Sequence, residues 1–124
     1  MRTALRLLFA GIFVAMVAVT LEASLERNVF TAAAALWPDA WFRATLADAY
    51  FGFVTVWVWV AYRERTHGAR AAWLAAFLTL GNLAMAAYVL LALARLPAGA
   101  PLWQALLRPE HRTAGTALPA SAQR

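Results

Sequence analysis

Cysteine and lysine are both missing from this sequence, and each absence removes a body of chemistry. Without Cys there are no disulfides, thiolate metal sites, iron–sulfur clusters or haem attachment through a C-x-x-C-H motif. Without Lys there is no P-loop lysine, no Schiff base with retinal or pyridoxal phosphate, and no lysine nucleophile. Ser24 and Ser121 are the only serines, and neither sits in Gly-x-Ser-x-Gly, which speaks against a serine hydrolase. His67 and His111 lie outside the long apolar runs, so a membrane-embedded haem or pigment has no histidine ligand. No cofactor and no metal site is expected.

Charge is scarce as well. Charged residues make up 14% of the 124 positions and hydrophobic ones 64%, where about 25% and 45–50% are usual for soluble domains. A chain this short has a large surface for its volume, and too few polar groups to cover it with. The composition therefore predicts an all-α integral membrane protein, one small domain over residues 1–107. Its net charge of +5 comes from 11 arginines. They flank apolar segments instead of lining a phosphate-tracking face, so the expected partner is the lipid bilayer and not nucleic acid.

Three apolar runs, at residues 5–25, 44–62 and 71–94, are each long enough to span. As helices they measure roughly 31, 28 and 36 Å, against a hydrocarbon core of about 30 Å. Arg2 and Arg6 ahead of the first run resemble a signal peptide. However, Leu21-Glu22-Ala23 puts a bulky residue where cleavage wants a small one, so the segment reads as a retained anchor. Pro38-Asp39 starts the second helix with Asp39 as its N-cap, and Pro97 and Pro101 stop the third. Residues 29–37 are too short to cross and read as interfacial, as does a short helix over 102–107. Residues 108–124, with Gly115 and Pro119, read as a flexible tail. Trp37, Trp41 and Phe42 mark one interface, and Trp59, Tyr62 and Trp73 the other.

Orientation is nearly balanced. An internal N-terminus places Arg2, Arg6, Arg63, Arg65 and Arg70 inside, and Arg27, Arg43, Arg95, Arg108 and Arg112 outside. The arginine-dense loop over 63–70 and the arginines preceding the first span break the tie. The expected topology is N-in, C-out, in a bacterial cytoplasmic (inner) membrane.

Few polar groups enter the spans. Thr45, Asp48, Gly52, Thr55, Trp59 and Tyr62 follow one another in steps of three and four, which puts them on one helix face. A charge at the bilayer centre costs about 2.5–3.5 kcal/mol, so this stripe should face protein. Asp48 is then either an acid, base or ligand in a lipid-accessible pocket, or a structural group paired with Arg43 or the end of the first helix. Thr79 and Asn82 read as interhelical packing groups, with Gly81 beside them and Gly11 with Ala15 allowing close approach. Glu22 and Glu26, four apart at the outer end of the first helix, join Asp48 as candidate catalytic or cation-binding carboxylates. The alternative is a solvated helix end balanced by Arg27 and Arg43. Arg63, Arg65 and Arg70, with Glu64 and His67, read as a topogenic loop touching anionic headgroups.

The stretch Trp41-Phe42-Arg43-Ala44-Thr45-Leu46-Ala47-Asp48-Ala49-Tyr50-Phe51-Gly52-Phe53 is followed by Trp59-Val60-Ala61-Tyr62-Arg63-Glu64-Arg65 and by Gly81-Asn82. Together they resemble a family of small three-span membrane proteins of unknown function from bacteria, with relatives in plants. The resemblance covers about residues 1–107 and implies the fold without implying an activity. More distantly, three spans with an intramembrane Asp resemble small membrane terpene and lycopene cyclases in architecture, although their acidic motifs are not present here.

Three functions are consistent with these features. The leading one is a non-enzymatic accessory or assembly subunit, or a homo-oligomer. Three helices of this length bury little between themselves, and the stripe and Asn82 need partners. The second is a lipid- or isoprenoid-acting enzyme using Asp48 with Glu22 or Glu26. The third is a proton or ion pathway within an oligomer.

Overall fold

A computed structural model of the chain describes residues 1–107. Its elements are α1 (Arg2–Glu26), α2 (Val29–Leu36), α3 (Ala40–Arg63), α4 (His67–Leu80), α5 (Asn82–Ala94) and a 3-10 turn over Leu102–Ala105. The expected all-α class holds throughout the described residues. The tail expected over 108–124 lies outside them.

A side-chain cap starts three of the five helices. The Asn28 side chain accepts a hydrogen bond from the Phe30 N–H and opens α2. Asp39 accepts from the Phe42 N–H at 2.8 Å and opens α3, so the expected N-cap is the one used. The Thr66 hydroxyl does the same for α4 through the Ala69 N–H. Each cap satisfies a backbone donor that the first helical turn would otherwise leave unpaired.

Two helices, α1 with 25 residues and α3 with 24, are long and apolar enough to cross a membrane. The third expected span is different. Residues 71–94 do not form one helix, because the chain folds back at Gly81. Its φ of 54° and ψ of −130° belong to backbone that a residue with a Cβ rarely adopts. The space is closed as well: a Cβ there would stand 2.9 Å from Cζ of Phe53. The reversal brings the Trp73 ring of α4 to 4.8 Å from Tyr88 of α5. In a straight helix those residues would be roughly 22 Å apart. The arms, 14 and 13 residues long, measure about 21 and 20 Å. Neither is long enough to cross about 30 Å of hydrocarbon.

The hairpin packs against the two long helices. Antiparallel to α3, α4 is tied to it by the Trp57 indole N–H donating to the Arg70 carbonyl (2.9 Å) and by the Tyr50 hydroxyl donating to the Leu78 carbonyl (3.3 Å). Opposite in direction to α5, α1 meets it where Arg2 donates to the carbonyls of Leu93 (3.0 Å), Leu96 and Pro97 (2.8 Å). Arg6 adds a bond to the Leu93 carbonyl at 3.0 Å. The last turn of α5 has carbonyls with no partner inside the helix, and a cation there also meets the negative end of the helix dipole. Residues 95–107 therefore stand at the same end of the bundle as Met1, and not at the opposite end where three straight helices would leave them.

The core sits between the hairpin and the C-terminal half of α3. Val60, Phe77, Ala84 and Tyr88 are buried together, with Phe53, Trp57, Trp59 and Trp73 packed around them. A second cluster, Leu93, Leu96 and Ala105 with Leu5 and Leu102, joins α5 to α1 and the 3-10 turn. Beyond the reach of the hairpin the helices are bare: every residue from Ala18 to Glu26 of α1 is exposed.

Candidate functional site

Among the described residues, the one buried charged side chain lies at the end of α3. Arg63 is only 6% exposed. Its guanidinium carbon sits 5.2 Å from the Trp59 ring centre and 5.4 Å from that of Tyr88. A guanidinium is weakly hydrated and flat, so it can stack on aromatic faces where an ammonium would hold its water. Trp59 and Arg63 come from successive turns of α3, and Tyr88 is brought over them by the hairpin. The Tyr88 hydroxyl then donates to Glu64 Oε1 at 2.9 Å, and the Trp59 and Tyr88 rings meet edge to face at 5.5 Å. The Arg70 side chain closes the turn by donating to the Glu64 carbonyl at 3.0 Å. This cluster fastens the hairpin to α3, and its one carboxylate, that of Glu64, is taken up by the Tyr88 hydroxyl. Tyr88→Phe should cost about 1.5–2 kcal/mol, the low end for a hydrogen bond to a charged acceptor. Reversible unfolding in mixed micelles would measure it.

The fold also sorts the arginines. Arg2, Arg6, Arg63, Arg65, Arg70 and Arg95 stand at one end of the bundle, and Arg27 and Arg43 at the other. Glu22, Glu26 and Asp39 are at that second end. Next to the 3-10 turn at the arginine-rich end is a groove of about 360 Å³ lined by apolar residues of α1, α3 and α5.

The carboxylates singled out from the sequence are not gathered into a site. Among the described residues, no three His, Cys, Asp or Glu side chains are placed to hold a metal ion. Glu26 borders an open cleft of about 610 Å³ between the end of α1 and α2; neither Glu22 nor Asp48 lines it. Asp48 is exposed on α3, as are Thr45, Gly52 and Thr55 of the same stripe. Arg43, the partner considered for Asp48, donates instead to the Trp37 and Pro38 carbonyls at 2.7 and 3.0 Å. Among the described residues Asp48 and Asn82 have no hydrogen-bond or ion-pair partner. Thr55 and Thr79 turn their hydroxyls back onto their own helices, to the Phe51 and Ala75 carbonyls, each at 2.8 Å. Expected as interhelical packing groups, these threonines therefore bond within the helix, while Asp48, Thr45 and Asn82 face outward.

The sequence model of a protein family described as "Protein of unknown function (DUF1475)" matches residues 3–113. The chain belongs to that family. Among curated proteins and among solved structures, nothing matches it. The DUF1475 match runs through all five helices and the 3-10 turn, so the hairpin and the Arg63 cluster lie within the family's domain.

Two features of this DUF1475 chain had sequence signals that composition and span counting pass over. Trp59 and Arg63 are one helical turn apart, the spacing for a cation on an aromatic face. Tyr88 is the one aromatic residue in α5, which marks it as a group with a polar end to satisfy. Nothing local points to Arg2 and Arg6 as caps of α5, because their acceptors lie about ninety residues away.

Proposed function

We propose that this chain is an integral membrane protein that completes its fold against helices of another chain, as a non-enzymatic accessory or assembly subunit or as a homo-oligomer. The observation that carries the reading is the outward stripe of α3 with Asp48 exposed and unpartnered, as is the hairpin residue Asn82, on a bundle whose hairpin covers only part of its long helices. Lipid tails offer such groups no hydrogen bond, whereas a neighbouring helix does. The bareness of α1 and α3 supports the membrane setting: α1 has no buried residue, and α3 buries only Val60 and Arg63. The core helix of a soluble protein would be covered. The ties from Arg2 and Arg6 to α5 support α1 as a standing part of the fold.

Orientation follows from the same arrangement. Six arginines at the Met1 end against two at the other favour that end inside, in the bacterial cytoplasmic membrane implied by the family resemblance. On this reading α1 and α3 cross, and α4–α5 enters from the inside and returns. A re-entrant element of this kind is tolerated where protein covers its apex, which again calls for a neighbour.

Gentle detergent extraction followed by sizing and affinity purification tests the proposal. The expected particle is larger than a monomer and carries a second copy or another membrane polypeptide. Asp48→Asn should shift the particle toward monomer while leaving the cellular lipid profile unchanged. A monodisperse monomer without a partner would sink the proposal. A changed lipid profile with assembly intact would favour an enzyme using Asp48.

A further inference from the structure

We propose that the groove at the arginine-rich end is a binding site for one acyl chain of an anionic phospholipid, with the headgroup held by Arg6. The groove, about 360 Å³, is lined by Leu5 and Phe9 of α1, Trp59 of α3, Val89 and Leu93 of α5, and Trp103 beyond them. Its volume falls within the range of about 300–1,000 Å³ typical of small-molecule sites. Among the described residues that line it there is no acid and no charged side chain. Such walls select a hydrocarbon tail.

The charge at its rim selects the headgroup. Leu93 forms part of the wall, and its carbonyl accepts from both Arg2 and Arg6 at 3.0 Å, so two guanidiniums stand at that wall. Arg2 is half-buried and committed to three carbonyls. Arg6 lies between Leu5 and Phe9 in sequence, is exposed, and gives one hydrogen bond to Leu93. A guanidinium has five N–H donors in a fork that matches phosphate oxygens, so Arg6 can serve the carbonyl and a phosphate together. Trp103, 54% exposed at the rim, belongs to the residue type that settles at the headgroup level. An apolar slot with a cation at its mouth is complementary to an anionic amphiphile. This inference shares the membrane setting with the proposed function and does not depend on a partner chain.

The test uses full-length protein extracted from carbonate-washed membranes and exposed in nonionic detergent to phosphatidylglycerol or phosphatidylcholine, with retained lipid counted by native mass spectrometry. Wild type should hold one phosphatidylglycerol and prefer it to phosphatidylcholine at least tenfold. Arg6→Gln should abolish that preference while still holding one lipid of either kind, since the apolar walls remain. Val89→Trp, which fills the groove, should lose the bound lipid. Trp103→Ala, at an exposed rim position, should weaken retention severalfold without disturbing the core. Equal retention of both lipids by wild type would overturn the inference, as would unchanged retention in both groove variants. So would a groove occupied by a second copy, seen as a dimer that lipid does not displace and that Val89→Trp breaks. Either failure in protein that carbonate leaves in the membrane would still leave the membrane setting standing.

Discussion

Replacing Gly81 with alanine should destabilise the protein by about 2–6 kcal/mol, the largest effect expected of so small a change. Two terms contribute. Backbone held in a region that L-residues avoid costs about 1–3 kcal/mol, and φ of 54° with ψ of −130° is such a region. Overpacking costs about 1–3 kcal/mol more, because the new methyl would meet the Phe53 ring at 2.9 Å. The terms separate in a double mutant. Phe53→Ala removes the obstruction but not the strain, so Gly81→Ala should be less costly in that background by roughly the overpacking term. Unfolding in mixed micelles of the four variants measures both. If Gly81→Ala is neutral, the chain does not turn there.

Phe77→Ala should cost about 3–5 kcal/mol, the usual loss for a large aromatic at a site that cannot collapse. Phe77 is 0% exposed, as is Val60, its companion at the centre of the core. Its ring contacts Trp73 at 6.0 Å and Tyr88 at 6.4 Å, so its loss opens a cavity between both arms of the hairpin and α3. Leu80→Ala, at a position 54% exposed and outside both buried clusters, should change stability far less. Comparable losses for the two would mean that the hairpin does not pack as described.

The all-helical class and both long helices were legible in the sequence, because apolar length and flanking charge are local properties. Asp39 was legible for the same reason: a cap acts on its own first turn. The break inside the third apolar run is not legible, for an equally physical reason. Residues 71–94 are apolar enough to cross, and hydropathy is blind to a single glycine that reverses direction. Only the packing of Phe53 against Gly81 shows that the reversal is built in. That one turn changes the side on which residues 95–107 stand, and it moves Arg95 to the end that already holds Arg2, Arg6, Arg63, Arg65 and Arg70. The near-even split of arginines read from three spans thus becomes a clear asymmetry among the described residues.

The candidate site was only partly legible. Spacing placed Thr45, Asp48, Gly52 and Thr55 on one face, and the structure leaves that face exposed. It could not say that Arg43 would turn to the Trp37 and Pro38 carbonyls and leave Asp48 alone. Likewise, Glu22 and Glu26 share a helix end, and among the described residues no third acid joins them to hold a metal ion. Long-range ties such as Tyr88 to Glu64 depend on the hairpin and were out of reach once a straight helix was assumed.

The absence of cysteine makes the central claim, a re-entrant hairpin with both of its ends on the Met1 side, directly measurable. Single cysteines at Thr3, Gly68, Ala98 and Thr31, all exposed, can be labelled with a membrane-impermeant maleimide in intact and in opened cells. Cysteines at Thr3, Gly68 and Ala98 should be protected in intact cells and react only once the cells are opened, whereas that at Thr31 should react from outside in both. Labelling at Ala98 that follows Thr31 instead of Gly68 would mean that the chain crosses after α4, and would contradict the hairpin.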